Sequence, residues 1–293
     1  MPYVPTAVST SFRVLAAVAP PLAVRLAART FWRFGPPTPV RAADRAVHER
    51  AERGMVRVDG ERVVTYRWGD RAAPAVLLAH GWKSRASRFA ALVTALEDAG
   101  LGVVSFDGLA HGDSTGRRMS ALDHMAAMRA VLDAEGPFTG VVGHSLGGLA
   151  AGLALHDGFP TDRFVSVSAM TGFDALAATF LRLVGMPATQ LDRFCDHVAR
   201  TFPGQAPDVR ARIDLVTHPV PASVPTLVVH DADDRMSLPD GARRLHAAMP
   251  GSRLVVTSGL GHTRILDDPA VLDAVVAHIT AHVTAPVGAT SRR

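Results

Sequence analysis

The chain has 293 residues, of which 48% are hydrophobic and 20% charged. That balance excludes a mostly disordered protein and suffices for one large core without covalent staples. The single cysteine, Cys195, excludes an intrachain disulfide and a thiolate metal cluster, and it reads as a small packed residue. The net charge is +4, yet the bases cluster only in pairs, Arg117-Arg118, Arg243-Arg244 and Arg292-Arg293. All are arginine except Lys83, which points to compositional bias rather than to a nucleic-acid partner.

Residues 1–54 read as an N-terminal helical extension. Ser11 to Phe34 has a helical pattern broken near Pro20-Pro21. Arg25, Arg29 and Arg33 recur at i, i+4 and i+8 and so share one face, while Leu22, Leu26, Phe31 and Trp32 supply apolar surface. One reading is a basic amphipathic helix lying on an anionic membrane. The preferred reading is a helix packed on the main body with its arginines in water. The longest apolar stretch, Val14 to Val24, is too short to span a bilayer, and Arg25 interrupts the region where a leader would be cleaved. The expected location is the cytoplasm. A second, polar helix is expected over Val40 to Arg53, stopped by Gly54.

From Met55 the pattern changes. Met55–Val58 and Arg62–Trp68 read as strands around the hairpin turn Asp59-Gly60. Ala75–Ala79 is a fully apolar strand. A helix over about Ala86 to Ala99 follows, with Ser84 or Ser87 as its cap and Gly100 as its stop. Val103–Phe106 is a strand, and Ser120-x-x-Asp123 is a capping-box start for a helix to about Ala134. Phe138–Gly143 is a strand that feeds a helix at Ser145. Phe164–Ser168, Thr226–His230 and Arg253–Thr257 are further strands, and Asp268-Pro269 opens a last helix. Short apolar strands alternating with helices imply a mostly parallel sheet covered on both faces, with the leading hairpin antiparallel at one edge. The alternation breaks at about 171–223, where two helical patterns, Phe173–Val184 and Gln190–Phe202, are punctuated by Gly185, Pro187, Pro203 and Pro207. This insert reads as a short helical lid.

The segment Gly143-His144-Ser145-Leu146-Gly147-Gly148 follows an apolar strand and precedes the helical run Leu149–His156. A strand that turns so sharply into a helix needs glycines two residues either side of the tip. The serine is then held at the tip of the turn, and the free amides of the helix N-terminus face the negative charge that forms on attack.

Five segments together resemble the α/β-hydrolase superfamily, in its serine esterase or lipase-like branch. They are Gly143–Gly148 as its elbow, His80-Gly81-Trp82 as its oxyanion loop, and Phe106–Ser114 as the loop after the next strand. Val229–Asp234 corresponds to its acid loop and Gly259–His262 to its histidine loop. The resemblance covers about Met55 to Val283 and implies an α/β-hydrolase domain over 55–293. Serine at the elbow disfavours epoxide hydrolases and haloalkane dehalogenases, which would carry aspartate there.

The order serine, acid, histidine is the one this superfamily uses. Among thirteen histidines, His262 is the expected base, because it follows the last strand in a glycine-bearing loop at the edge where ligands gather. His80 and His144 are expected to bind backbone, and His278 and His282 to be surface or satisfied positions. The family pattern His-Gly-x-x-Asp places the acid at Asp234. Asp231 stands where glycine is common, so Asp231 or Asp233 remains an alternative, the unused carboxylates being solvated or capping groups. The oxyanion amides are expected at Leu146 and, by resemblance, Trp82. Asp107 is structural by resemblance.

No metal-ligand spacing and no dinucleotide motif is present, so the expected reaction needs no cofactor or metal. The expected chemistry is hydrolysis of a carboxylic ester of a small-molecule acyl substrate through an acyl-enzyme. Leu181, Leu183, Val184 and Met186 either line the acyl pocket or pack the lid to the body. Peptidase, thioesterase, lactonase and acyltransferase readings share the same triad, and a hydrolase-shaped binding protein without activity is the alternative of a different class.

Overall fold

A computed structural model describes residues 6–31, 36–202 and 208–281. The expectations placed on Trp32, Arg33, Phe34, Pro203, Pro207, His282 and Arg292-Arg293 lie outside them. The chain begins with helices α1 (Thr6–Val18) and α2 (Pro20–Phe31). Proline is tolerated at the first turn of a helix, where its missing amide has no partner to lose, so Pro20-Pro21 opens α2 rather than ending it. The expected helix over Val40 to Arg53 shrinks to a single 3-10 turn and the short α3 (Arg45–Glu49).

The reason for that contraction is strand pairing. Strand β1 (Glu52–Val58) starts before Gly54 and pairs antiparallel with β2 (Glu61–Trp68) along its whole length, from Glu52 opposite Arg67 to Val58 opposite Glu61. The turn that joins them has Asp59 at φ 49° and Gly60 at φ 81°. Two consecutive positive φ values make the tight hairpin turn whose twist matches the strands, and Asp-Gly supplies it cheaply.

The remaining elements alternate as the sequence implies. They are β3 (Ala75–Ala79), α4 (Ala90–Asp98), β4 (Gly102–Phe106), α5 (Ala121–Glu135), β5 (Phe138–His144), α6 (Leu146–His156) and β6 (Arg163–Val167). The insert forms α7 (Phe173–Leu183), α8 (Leu191–Arg200) and α9 (Val209–Arg212). Then come β7 (Thr226–Asp231), α10 (Pro239–Ala248), β8 (Arg253–Thr257), α11 (Gly261–Arg264) and α12 (Pro269–Thr280). Helix α10 had no counterpart in the reading of the sequence.

The eight strands form one sheet in the order β1-β2-β4-β3-β5-β6-β7-β8. The pairs β1–β2 and β2–β4 are antiparallel and the others parallel. The alternation of side chains divides the core in two. Leu77, Val104 and Phe106 face α5 and α6, with Leu149 and Leu153 buried between. Val76, Leu78 and Val103 face α4 and α12, with Phe89, Leu96 and Val275. Helix α6 is hydrophobic on every side and buried from Leu146 to Leu155, because the sheet lies beneath it and the insert above.

Chain order reverses at β3, which has β4 on one side and β5 on the other. The C-terminal ends of β3, β5, β7 and β8 therefore open on one edge, the usual place for a ligand.

One expected cap is corrected. Neither Ser84 nor Ser87 caps the helix that precedes α4; the Ala86 amide instead donates to Asp107 Oδ1 at 2.8 Å. Ser120 does form the capping box with Asp123 at the start of α5. Asp107 is fully buried and serves as a hub. It also accepts from the Tyr66 hydroxyl at 2.9 Å, Arg85 Nη2 at 3.1 Å and the Asp113 amide at 2.8 Å. Removing it leaves the Ala86 and Asp113 amides without this acceptor and takes from the Tyr66 hydroxyl and Arg85 one of their two carboxylate partners, Asp113 being the other. Asp107→Ala is therefore expected to lower the unfolding free energy by about 3–5 kcal/mol, measured by urea denaturation; a loss below about 1 kcal/mol would refute the hub.

Candidate active site

The site is built from strand ends. At the β5–α6 junction Ser145 takes φ 55° and ψ −119°, a left-handed conformation that costs a non-glycine residue about 1–3 kcal/mol. Its amide donates to the Val167 carbonyl at 3.0 Å, and α6 begins at the next residue. The turn is tight enough that a side chain at Gly143 would lie 2.5 Å from Gly148 Cα, and it lies so close to the end of β3 that one at Gly147 would overlap the Ala79 carbonyl. The two glycines that the sequence pattern demanded are thus steric necessities.

Two further strand ends complete a hydrogen-bonded chain. His262 sits on α11 after β8, and its Nε2 lies 3.0 Å from Ser145 Oγ. His262 Nδ1 lies 2.7 Å from Asp234 Oδ2, in the loop after β7. A neutral imidazole that donates its Nδ1 proton to Asp234 leaves Nε2 free to accept the serine proton. Asp234 is 2% exposed, and its other oxygen accepts from the amides of Met236 at 2.7 Å and Ser237 at 3.0 Å. Burial alone would push this carboxyl up. The His262 hydrogen bond and charge, with the Met236 amide, outweigh it and hold Asp234 below the ordinary carboxylate range.

The structure separates the three aspartates of the acid loop. Asp231 and Asp233 do not touch His262. Asp231 is fully buried, which corrects the expectation of a solvated or capping group. It clamps the histidine loop, accepting from the Gly261 amide at 2.8 Å, the Leu260 amide at 3.1 Å and the Thr257 hydroxyl at 2.7 Å. Burial raises its proton affinity, but these donors hold it below the ordinary range. Asp233 accepts from the Gly259 amide at 2.7 Å, so both spare carboxylates position the loop that carries His262. The departure from the family pattern at Asp231 marked this clamp in the sequence.

Leu146 and Trp82 both border the same space as Ser145. The Leu146 amide is the first of α6. The loop after β3 abuts the nucleophile position, since a side chain at Gly81 would lie 2.8 Å from Ser145 Cβ. That loop is held by a buried imidazole. His80 Nε2 accepts from the Gly108 amide at 2.8 Å, which fixes the proton on Nδ1 for donation to the Gly81 carbonyl at 2.8 Å. His111 Nε2 accepts from the Lys83 amide at 3.0 Å in the same way. His144 Nε2 donates to the His262 carbonyl at 2.8 Å. His80 and His144 therefore bind backbone as expected, and His278 Nε2 reaches the Pro225 carbonyl at 3.2 Å.

Ser145 and His262 border two spaces. One is an apolar cleft of about 790 Å³, open mouth included, walled by Met170, Phe173, Leu176 and Phe180 of the insert and its approach. Phe31 of α2 joins this wall, edge-on to Phe180 at 5.1 Å and to Phe194 at 5.6 Å. That the N-terminal extension reaches the site was not legible along the chain, because nothing in a local pattern tells which distant surface a helix will cover. Leu181, Val184 and Met186 are buried in the core and do not line the cleft, so of the two readings for them packing is the correct one. The other space is bordered by the polar side chains of Arg41, Asp44, Lys83, Arg88 and Thr263, and also by Pro39 and Trp82. Among the described residues no group of three or more metal-binding side chains is found.

The model of the alpha/beta hydrolase family matches residues 76–275. Solved structures share the fold at low identity. An esterase from Pyrococcus furiosus superposes with a TM-score of 0.63 at 19% identity, over 86% of this chain and 98% of that chain. A thioesterase domain from the curacin biosynthetic pathway gives 0.57 at 19%, over 78% and 99%. A bacterial membrane phospholipase A gives 0.62 at 16%, over 93% and 97%.

Three buried imidazoles give a pH prediction. Burial first, and for His144 also the neighbouring His262, lowers His80 to about 4 and His111 and His144 to about 3. The unfolded chain titrates them near 6.5, so below that pH it binds protons that the folded chain does not. Stability is therefore fully present above pH 6.5 and falls as the pH drops toward 4, by about 2 kcal/mol for each histidine at pH 5. Thermal midpoints recorded from pH 8 to pH 4.5 are expected to decline below 6.5; a flat profile to pH 5 would contradict the neutral cluster.

Proposed function

The chain belongs to the alpha/beta hydrolase family, and from that premise we propose that it is a serine hydrolase cleaving carboxylic esters with an apolar acyl group. The observation that carries the reading is the chain Ser145–His262–Asp234 at the floor of an apolar cleft, with hydrogen-bond distances of 3.0 and 2.7 Å.

Serine is a weak nucleophile at neutral pH and needs a base while it attacks. His262 Nε2 takes the Ser145 proton as Oγ bonds to the substrate carbonyl carbon. Asp234 stabilises the imidazolium that results. The carbonyl oxygen gains the negative charge and is met by the amides of Leu146 and Trp82, a contact worth roughly 10²–10³ in rate for each donor. Collapse of this intermediate breaks the bond to the alcohol, which leaves with the proton from His262. Water then repeats the sequence on the acyl-enzyme: His262 accepts its proton, the hydroxyl adds to the acyl carbon, and Ser145 departs with the proton restored. The acyl group lies against Phe173, Phe180 and Phe31, and the space beside Lys83 takes the alcohol part. Support for ester over other acyl bonds is the low polarity of the cleft and the esterase among the proteins of like fold.

A fluorophosphonate probe is expected to label Ser145, mapped by mass spectrometry, and Ser145→Ala is expected to lower hydrolysis of p-nitrophenyl esters by about 10⁴-fold or more. Labelling at another residue, or an active Ser145→Ala protein, removes the proposal. Phe31→Leu is expected to raise KM for octanoyl-length esters about tenfold, the worth of one to two buried methylenes, and to leave acetyl ester kinetics near wild type. Equal changes for both esters would take Phe31 out of the acyl wall.

A further inference from the structure

Helices α1 and α2 pack on the body through Phe12, Leu15 and Phe31 together with small residues, and leave other apolar side chains outside. On α2 the inward positions are small: Ala23, Val24, Ala27 and Ala28 are all nearly or fully buried. The larger Leu22 and Leu26 face out, 48% and 40% exposed, and on α1 Val14 and Val18 are 57% and 75% exposed. With Val8 these are five of the eight large apolar side chains that are exposed among the described residues, concentrated on two helices. Single exposed apolar groups need no explanation, but a group of them marks a contact surface.

The charges on the same hairpin have one sign. Arg13, Arg25 and Arg29 are exposed, and no acidic residue occurs before Asp44. Arg25 lies near Arg200 and His197 of α8; burial and these two arginines hold the His197 imidazole below its ordinary range. The neighbouring acids of α8, Asp192 and Asp196, are drawn to Arg210. Leucines and valines interleaved with arginines among the exposed positions of α1 and α2 fit an interface that is apolar within and negative at its surface. Pairing of this surface with the same surface of a second copy would bring arginine against arginine, which disfavours a two-fold dimer through it. Helices of 13 and 12 residues are too short to cross a bilayer, so the contact is superficial.

We propose that α1 and α2 dock this protein on anionic lipid bilayers, with Val14, Val18, Leu22 and Leu26 in the headgroup–acyl boundary and Arg25 and Arg29 on the lipid phosphates. Phe31, the last residue of α2, walls the apolar cleft, so the docked face and the entrance to the site share one helix. The docking itself is independent of any chemistry at Ser145.

The test is co-sedimentation of the full chain with vesicles of phosphatidylcholine, with and without phosphatidylglycerol. Binding is expected only with phosphatidylglycerol and is expected to weaken with added salt. Arg25→Gln with Arg29→Gln is expected to reduce partitioning about thirty-fold, near fivefold for each arginine. Leu22→Ser with Leu26→Ser is expected to abolish it. All four positions are exposed, so both variants should keep the wild-type thermal midpoint. Absence of binding by the wild type, or variants that bind as the wild type does, overturns the proposal. So does a stable dimer in light scattering that Leu22→Ser with Leu26→Ser dissolves.

Discussion

Everything in the site depends on one strained residue, Ser145 at φ 55° between a parallel strand and a buried helix. The conformation is unfavourable for a residue with a side chain. It persists because both flanks are over-determined. Strand β5 is paired on each side, by β3 and β6, and α6 is apolar around its whole circumference. To relax the turn, the helix would have to leave a site where Leu149 and Leu153 are fully buried. Each such leucine is worth roughly 2–5 kcal/mol against truncation, more than the strain at the tip. Burial of a helix thus holds a side chain where the chain would not place it by itself.

The partners of Ser145 are placed by a different force. Loops after strands have no ladder to hold them, and here buried charges and neutral imidazoles clamp their amides. Asp107 gathers the loops after β3 and β4, and Asp231 gathers the loop that carries His262. His80 and His111 each accept one backbone amide, which fixes their tautomers and ties the two loops together. A carboxylate in the interior costs several kcal/mol unless its oxygens are fully engaged. Each of these aspartates meets that condition with at least four donors, so the cost is offset and the loop geometry becomes the least costly arrangement. The acid that contacts His262 has fewer donors and accepts from the imidazole, which keeps it available to respond to charge on the ring.

The N-terminal hairpin and the insert between β6 and β7 close the apolar side of the site together. Phe31 meets Phe180 and Phe194 in an aromatic cluster, and edge-to-face contacts of this kind favour one relative placement over sliding. Segments separated by about 150 positions thereby form one wall. The same helix presents small residues inward, which allows close approach to the body, and leaves its larger apolar residues outside.

Much of this could be read along the chain. The strand Ala75–Ala79 and the strand Arg253–Thr257 matched residue for residue, because an apolar run between turn signals has one economical structure. The elbow was legible through Gly143 and Gly147, whose absence of side chains is demanded by a contact within the turn at Gly143 and by the end of β3 at Gly147. Local pattern also located His262, since it follows a recognisable strand by a fixed short interval. What local pattern could not settle depended on contacts across the sequence. The helix expected over Val40 to Arg53 lost its last two residues, Glu52 and Arg53, to pairing with β2, a gain in hydrogen bonds that no window around Gly54 contains. The cap of Ala86 came from Asp107, twenty-one positions away, in place of the serines beside it. Which aspartate of three met His262, which residues walled the cleft, and that Phe31 was among them were decided only when strands aligned their ends at one edge. Periodicity and turn chemistry act over a few residues and so determined the elements; burial and long-range hydrogen bonding act across the fold and determined which of their side chains met.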